Sequence, residues 1–232
     1  MHKIAIPDDV VAQIKAQRGS LKRYDGLVGP KTALVVIDLQ NAFMLPGMPV
    51  EVPAAREIVP NVNKLAAATR AAGGKVVWVQ MTLEGQSEAW SVFFDNDYRR
   101  SILPHLTPGS SGFELHSDLD VQPHDIAVVK TRYSAFIQGS SDLDRRLRDA
   151  GIDTVIIVGT LTNVCCESSA RDAMMLNYRV VFVADANATL TDVEHNATLT
   201  AMLRVFGEVA TTDETVALLS GRGQQKGREK AA

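Results

Sequence analysis

Three reactive side chains follow or end short apolar runs of this chain. Asp38 and Lys130 each end a Val-rich run, and Cys165 follows a third run, at 154–158, after a short turn. The carboxyl ends of parallel strands meet at one edge of a sheet, where ligands bind. A carboxylate, an ammonium and a thiol gathered there are sufficient for acyl transfer, in which the thiol attacks a carbonyl and a neighbouring group moves the proton.

Cys165 is the candidate nucleophile, although free cysteines are more often buried and inert. Its position after a strand and at a predicted helix start favours the thiolate, because the helix dipole and the free backbone N–H groups stabilise negative charge there. The same N–H groups could bind an oxyanion. Cys166 lies about 100° further round the helix and is interpreted as a packing residue.

Asp38 and Lys130 each have a structural interpretation as well. Asp38 could cap a helix or form an ion pair, and Lys130 could extend its ammonium to the surface. Opposite charges that end two parallel strands, with a thiol after a third, favour a shared site over two separate structural roles.

The order of predicted elements indicates how these residues are positioned. Strands alternate with helices, which predicts a three-layer α/β/α fold with a six-stranded, mainly parallel sheet. We expect an N-terminal arm at 1–30, one α/β domain at 31–220 and a disordered tail at 221–232. The irregular stretch at 81–123 is expected to hold short helices and a lid. The predicted strands are 33–38, 75–80, 126–130, 154–158, 179–184 and 208–211, and the predicted helices are 8–17, 54–72, 142–150, 165–176, 192–205 and 213–219.

Composition narrows the possible partners. The chain has 232 residues, of which 46% are hydrophobic, and this suits one well-filled core. A net charge of -3 argues against nucleic acid, and no apolar run approaches the roughly 20 residues of a membrane span. The two cysteines are adjacent, so no disulfide framework is expected. We therefore expect a cytoplasmic protein that acts on a small-molecule substrate.

Metal and phosphate sites have no support in the sequence. The five histidines show no metal-ligand spacing, and no Gly-rich phosphate loop is present. We expect neither a metal nor another cofactor.

Three sequence blocks, at 35–43, 130–136 and 159–173, carry a resemblance to a known family. The chain resembles the isochorismatase-like cysteine hydrolases over about 33–219. That family includes ureidoacrylate, carbamoylsarcosine and biuret amidohydrolases, nicotinamidases and isochorismatase itself. The resemblance implies a catalytic triad of Asp38, Lys130 and Cys165, the same residues that the strand ends select.

The resemblance implies further features of the site. It implies a non-proline cis peptide at Thr160–Leu161 that directs the backbone N–H groups of Leu161 and Cys165 at the oxyanion. It also implies a homodimer or homotetramer. Candidate substrate-binding residues, chosen because they lie beside the strand ends, are Asn41, Phe43, Trp78, Gln80, Tyr133 and Phe136.

Departures from the family pattern reduce the number of reactions that the chain is expected to catalyse. Nicotinamidases carry an Asp and paired histidines for a metal after the second strand, and 78–82 has none of these. Isochorismatases cleave a vinyl ether without needing a cysteine, so Cys165 favours C–N cleavage. The block at 132–134 looks most like ureidoacrylate amidohydrolase, although Leu161 and Cys166 replace the more usual Ala and Val.

We therefore predict a cysteine-dependent hydrolase of a small ureido, carbamoyl or amide C–N bond, ureidoacrylate-like, that acts through an acyl-cysteine intermediate. Three alternatives stay open: isochorismatase-type or nicotinamidase-type activity, a redox-active thiol protein, and a catalytically silent binding relative.

Overall fold

A six-stranded sheet forms the centre of the computed structural model, which describes residues 1–85 and 96–221. The strands are β1 (Thr32–Ile37), β2 (Lys75–Met81), β3 (Ile126–Lys130), β4 (Thr154–Thr160), β5 (Arg179–Ala188) and β6 (Glu208–Ala210). Their order is β3-β2-β1-β4-β5-β6, and every neighbouring pair is parallel. The predicted α/β fold is confirmed, and the sheet is wholly rather than mainly parallel.

Helices cover both faces of this sheet. They are α1 (Asp8–Arg18), α2 (Asn41–Met44), α3 (Val59–Ala71), α4 (Asn96–Ile102), α5 (Leu143–Asp149), α6 (Glu167–Met175), α7 (Asp192–Ala201) and α8 (Thr212–Leu219). All residues of β1 and β4 are buried, as expected for central strands rich in β-branched residues. Alternate side chains of β1 face opposite sides: Leu34 packs in the layer with α3 and α8, and Val35 packs in the layer with α5 and α6.

Three predicted helices are divided in the structure. The helix expected at 192–205 is α7 followed by a five-residue π turn, Met202–Phe206. The helix expected at 54–72 is a 3₁₀ turn at Pro53–Arg56 followed by α3, whose first turn contains Pro60. Proline is tolerated there because the first backbone N–H groups of a helix have no acceptor within it. The helix expected at 165–176 is preceded by a five-residue π turn, Thr162–Cys166, and α6 begins after it.

The predicted N-terminal arm lies against its own chain. Val10 and Ile14 of α1 pack on Leu203, and the Arg18 guanidinium donates to the Leu203 carbonyl at 2.9 Å. Most of the predicted tail, 222–232, and part of the predicted lid, 86–95, lie outside the described residues. The described part of the lid region holds α4 and a 3₁₀ turn at Leu103–His105. Across residues 1–85 and 96–221, no helix is long and apolar enough to cross a membrane.

Gly159 allows β4 to approach β1 at the point where both strands end. It pairs with Ile37, its φ is 123°, and a Cβ added there would lie 2.1 Å from the Ile37 carbonyl oxygen. No side chain fits at that distance. Glycine at this position therefore brings the chain that leads to Cys165 beside the chain that leads to Asp38.

We expect Gly159→Ala to lower the free energy of unfolding by more than about 2 kcal/mol, because backbone strain and a clash with the Ile37 carbonyl add together. Gly151→Ala is the matched control. Its φ is 71° and no neighbouring atom lies within 4 Å of the added Cβ, so only the left-handed backbone penalty of about 1–2 kcal/mol applies. Chemical denaturation measures both, and equal losses would contradict the assigned close approach.

Candidate active site

The three reactive residues meet in the interior of the protein. The Lys130 Nζ lies 2.8 Å from Asp38 Oδ2 and 3.4 Å from Cys165 Sγ. The side chains of Asp38 and Lys130 are 0% exposed, and Cys165 is 4% exposed. The ends of β1 and β3 and the turn after β4 thus bring one carboxylate, one ammonium and one thiol into contact.

The sheet topology explains this meeting. The chain leaves β1 toward β2 on one side, and β4 lies on the other side, so the crevice between the ends of β1 and β4 is a topological switch point. Asp38 follows β1 with a left-handed φ of 54°, and its backbone N–H donates to the Val79 carbonyl at 2.9 Å. Aspartate is among the few side chains that adopt this conformation readily. The backbone therefore turns out of the sheet at the carboxylate.

Lys130 reaches the crevice from β3, two strands away from β1. Its ammonium donates to the Arg132 carbonyl at 3.1 Å and lies 3.3 Å from the Met81 sulfur, in addition to its contacts with Asp38 and Cys165. The three N–H groups thus have partners although no part of the side chain is exposed.

Burial and charge shift the pKa values of the ion pair. Burial raises the pKa of the Asp38 carboxyl above its ordinary value, and the Lys130 charge opposes part of that rise. Burial alone would lower the pKa of Lys130, but the negative charge of Asp38 and the interaction with the Cys165 sulfur hold that pKa above its usual value. The ammonium therefore keeps its proton, and Asp38 is the member of the pair that can exchange one.

The expectation that a helix start favours the thiolate form of Cys165 is not met. Burial raises the pKa of Cys165 far above its ordinary value, and the attraction of Lys130 does not compensate. The Asp38 carboxylate raises this pKa further. Cys165 therefore rests as a protonated thiol and needs a base, and Asp38 is placed to act as one.

The turn that carries Cys165 is anchored to the chain that follows β5. The peptide Thr160–Leu161 is cis, as the family resemblance implied. The Thr160 hydroxyl donates to the Ala188 carbonyl at 3.1 Å, and Thr189 donates to Asn163 at 2.6 Å. A further hydrogen bond of 2.9 Å joins Thr162 Oγ1 to Nδ1 of a buried histidine in α7, His195. Sequence reasoning missed His195, because nothing in its helix indicates burial beside this turn.

A pocket of about 290 Å³ adjoins the Cys165 thiol. Phe43 and Tyr133, two of the six predicted substrate-binding residues, line it. Met81 and Leu83 also line it and were not predicted. Met81 could have been found from the sheet register, because it pairs with Lys130 at the ends of β2 and β3.

The other four predicted substrate-binding residues lie away from the pocket lining, and each has a structural partner. Trp78 is buried in the core and donates its indole N–H to Asp125 at 2.8 Å. Phe136 packs 5.6 Å from the Tyr178 ring, centre to centre. The side-chain amides of Asn41 and Gln80 donate to the carbonyls of Ser111 and Phe113, at 2.9 and 2.8 Å. Closeness to a strand end did not decide which way these side chains point.

Gln40 is a second residue that sequence reasoning missed. It is fully buried two positions after Asp38, and its amide donates to the carbonyls of Met81 and Phe113 at 3.1 and 3.0 Å. Its carbonyl oxygen accepts from the Met81 backbone N–H at 2.7 Å. Gln40 therefore ties the chain after β1 to the end of β2, which fixes Asp38 relative to the pocket wall. A polar residue directly after a buried strand was the available signal.

Comparisons with known proteins place the chain among relatives of one kind. The model of the Isochorismatase domain family matches residues 32–214. The chain is 34% identical to the uncharacterized isochorismatase family protein YwoC of Bacillus subtilis, over 79% of this chain and 92% of that one. It is also 34% identical to the ureidoacrylate amidohydrolase RutB of Rhizobium rhizogenes, over 82% of this chain and 84% of that one. A solved cysteine hydrolase from Pseudomonas syringae pv. phaseolicola superposes with a TM-score of 0.77 at 29% identity, covering 87% of this chain and 97% of that one.

No metal centre accompanies these residues in the part of the chain that the structure describes. There, no group of three or more His, Cys, Asp or Glu side chains is arranged to hold a metal ion. The Cys165 thiol lines the pocket, and the buried pair of Asp38 and Lys130 lies behind it, with the ammonium in contact with the sulfur.

We expect Lys130→Met to lower the free energy of unfolding by about 3–5 kcal/mol at neutral pH, because it leaves the Asp38 carboxylate buried without its counter-ion. The double variant Asp38→Asn/Lys130→Met has no charge at either position and should recover most of that loss. Denaturant titration of the two variants and the wild type measures the difference.

The difference in unfolding free energy between Lys130→Met and the double variant should depend on pH in a definite direction. In Lys130→Met the pKa of Asp38 in the folded state is raised further above its value in the unfolded state. Protonation of Asp38 therefore stabilises the folded variant at low pH, and this contribution to the free energy of unfolding is lost as pH rises through the folded-state pKa. The single variant should therefore approach the double variant in stability as pH falls toward about 4, the ordinary carboxyl pKa. A difference that stays constant across this range would contradict a buried, charge-paired Asp38.

Proposed function

The chain belongs to the isochorismatase family, and we propose that it is a cysteine-dependent amidohydrolase that cleaves the C–N bond of a small amide, carbamoyl or ureido substrate. The observation that carries this proposal is the contact of one buried ammonium with both the Asp38 carboxylate and the Cys165 thiol, beside a pocket. A nucleophile, a base and a fixed positive charge are the groups that acyl transfer requires.

In the proposed first half-reaction, Asp38 takes the Cys165 proton as the sulfur attacks the substrate carbonyl. The backbone N–H groups of Leu161 and Cys165 stabilise the oxyanion. Asp38 then gives its proton to the leaving nitrogen, the C–N bond breaks, and the acyl group remains on sulfur as a thioester.

In the second half-reaction, water attacks the thioester and Asp38 takes the water proton. The tetrahedral intermediate expels the thiolate, which recovers a proton from Asp38. The products are the acid and the amine, or ammonia, and the thiol is regenerated. Lys130 keeps its proton throughout and stabilises negative charge on the carboxylate or on the sulfur.

The pKa shifts suit these roles. Burial raises the pKa of the Asp38 carboxyl, which makes the carboxylate a stronger base toward the thiol. Burial also raises the pKa of Cys165, so a free thiolate is not the resting species and proton removal accompanies the attack. A stable thiolate with a separate function, as in a redox-active thiol, fits this environment poorly.

The relatives support C–N cleavage more than the alternative reactions. A ureidoacrylate amidohydrolase is 34% identical over 208 residues, and a solved relative is described as a cysteine hydrolase. Isochorismatase-type cleavage of a vinyl ether needs no cysteine, so it would not explain why the thiol is held in contact with the ammonium and the carboxylate. A redox thiol would need a resolving cysteine at a distance, and the only other cysteine in the sequence is the adjacent Cys166.

Substitution of the two adjacent cysteines tests the assignment of the nucleophile. We expect Cys165→Ala to abolish hydrolysis, measured as ammonia release from a panel of ureido acids, biuret, carbamoyl amino acids and primary amides. Cys166→Ala should keep most of the turnover, because Cys166 packs in the core and does not line the pocket. Its cost should be a loss of stability on the order of 1 kcal/mol, from removal of one buried heavy atom.

Circular dichroism of both variants serves as the control for folding. An active Cys165→Ala protein, or an inactive but folded Cys166→Ala protein, would reverse the assignment and reject the proposed nucleophile.

A further inference from the structure

The walls of the pocket beside Cys165 are apolar. They include side chains from four separate parts of the chain: the loop after α2, the end of β2 with the residues that follow, the described part of the lid region, and the turn after β4. Representative members are Val50, Val52, Leu83, Ile102, Leu106 and Leu161. A group that enters the pocket is therefore removed from water and surrounded mainly by hydrocarbon.

The described charge in this wall is a carboxylate that already has a counter-ion. Glu51 is the one charged side chain that lines the pocket among the residues that the structure describes. Its two oxygens accept from the Gly47 backbone N–H and the Arg56 guanidinium, each at 2.8 Å. These bonds hold the pKa of Glu51 below its ordinary value, so it stays ionised.

Among the side chains that the structure describes, no positive charge in this wall is available to receive a substrate carboxylate. No Lys, Arg or His among them lines the pocket, and Arg56, which contacts Glu51, is already paired with that carboxylate. The nearby Lys130 is fully buried, and its charge is balanced by Asp38. A carboxylate in the pocket would lose its hydration without gaining a counter-ion, which is strongly unfavourable.

We propose that the part of the substrate held in this pocket is uncharged and apolar, so that the enzyme selects neutral amides or ureas over anionic molecules of the same shape. This inference rests on the proposed hydrolase function and specifies its substrate class. It separates this chain from an enzyme built to bind a ureido acid through its carboxylate, although the reacting C–N bond is the same.

Matched substrate pairs test the proposal. Ureidoacrylate is compared with its methyl ester, and adipic acid monoamide with hexanamide, so that each pair keeps its reacting group and differs in charge. We expect kcat/KM, followed as ammonia release so that only C–N cleavage is counted, to favour the neutral member by about tenfold or more, because an unpaired charge is desolvated only in the other member. Each further buried methylene in a series of linear amides should add about fourfold in kcat/KM until the pocket is full.

Installing a cation in the wall gives a second test. Val50 is partly buried and lines the pocket, so a lysine there can place its stem in the wall without filling the core. Val50→Lys should shift the ratio of kcat/KM toward the anionic member by about tenfold relative to wild type, through a new charge pair with the substrate. Val50→Met is the matched control of similar length without charge, and it should keep the preference for the neutral member.

The possible outcomes distinguish failure of this inference from failure of the proposed function. Cysteine-dependent turnover with equal or greater kcat/KM for the anionic members would overturn this inference and leave the proposed hydrolase function intact. Absence of turnover for all four compounds and for the wider amide panel would overturn the proposed function instead. Calorimetric binding of hexanamide and of adipic acid monoamide to Cys165→Ala then decides the inference independently: tighter binding of hexanamide supports it, and tighter binding of the monoamide rejects it.

Discussion

The buried ion pair between Lys130 and Asp38 is the interaction on which the rest of the site depends. Two charges removed completely from water are tolerated only if they face each other at short distance and their other hydrogen-bonding groups are satisfied. The structure meets this requirement for the ammonium, which has an Asp38 oxygen at 2.8 Å and a carbonyl and two sulfur atoms around it. Among the described residues, the Asp38 carboxylate has no hydrogen-bond partner besides this ion pair, which agrees with its raised pKa. One of those sulfur atoms belongs to Cys165, so the condition that stabilises the ion pair also fixes the position of the thiol.

The fold supplies the geometry through a few local constraints. The order of the sheet places the end of β1 beside the end of β4 and within reach of β3. Gly159 permits the close approach of β4 to β1, and Gln40 ties the chain after Asp38 to the end of β2. On the other side, hydrogen bonds from the chain after β5 and from α7 hold the π turn that carries Cys165. Rigid positioning of this kind is how a protein keeps a base and a nucleophile in contact without solvent.

Features that depend on local pattern can be predicted from the sequence, whereas features that depend on packing cannot. The alternation of apolar strands with helices is local, so the α/β fold and the convergence of Asp38, Lys130 and Cys165 could be anticipated. The direction of a side chain near a strand end is decided by its neighbours, which is why Trp78 lies in the core and not in the pocket. The raised pKa of Cys165 arises from burial, a tertiary property that a helix start does not determine. The homodimer or homotetramer and the cytoplasmic location stay predictions.

The most direct test of this mechanism is a pair of rates measured on Asp38→Asn. Asparagine keeps the shape and tolerates the left-handed backbone at this position, but it cannot take a proton. Turnover should fall by a factor on the order of 10²–10⁴, the usual contribution of general acid–base catalysis. Alkylation of Cys165 by iodoacetamide should not slow, because removal of the Asp38 charge leaves Lys130 to lower the thiol pKa. Turnover near the wild-type rate in this variant would contradict the role of Asp38 as the base.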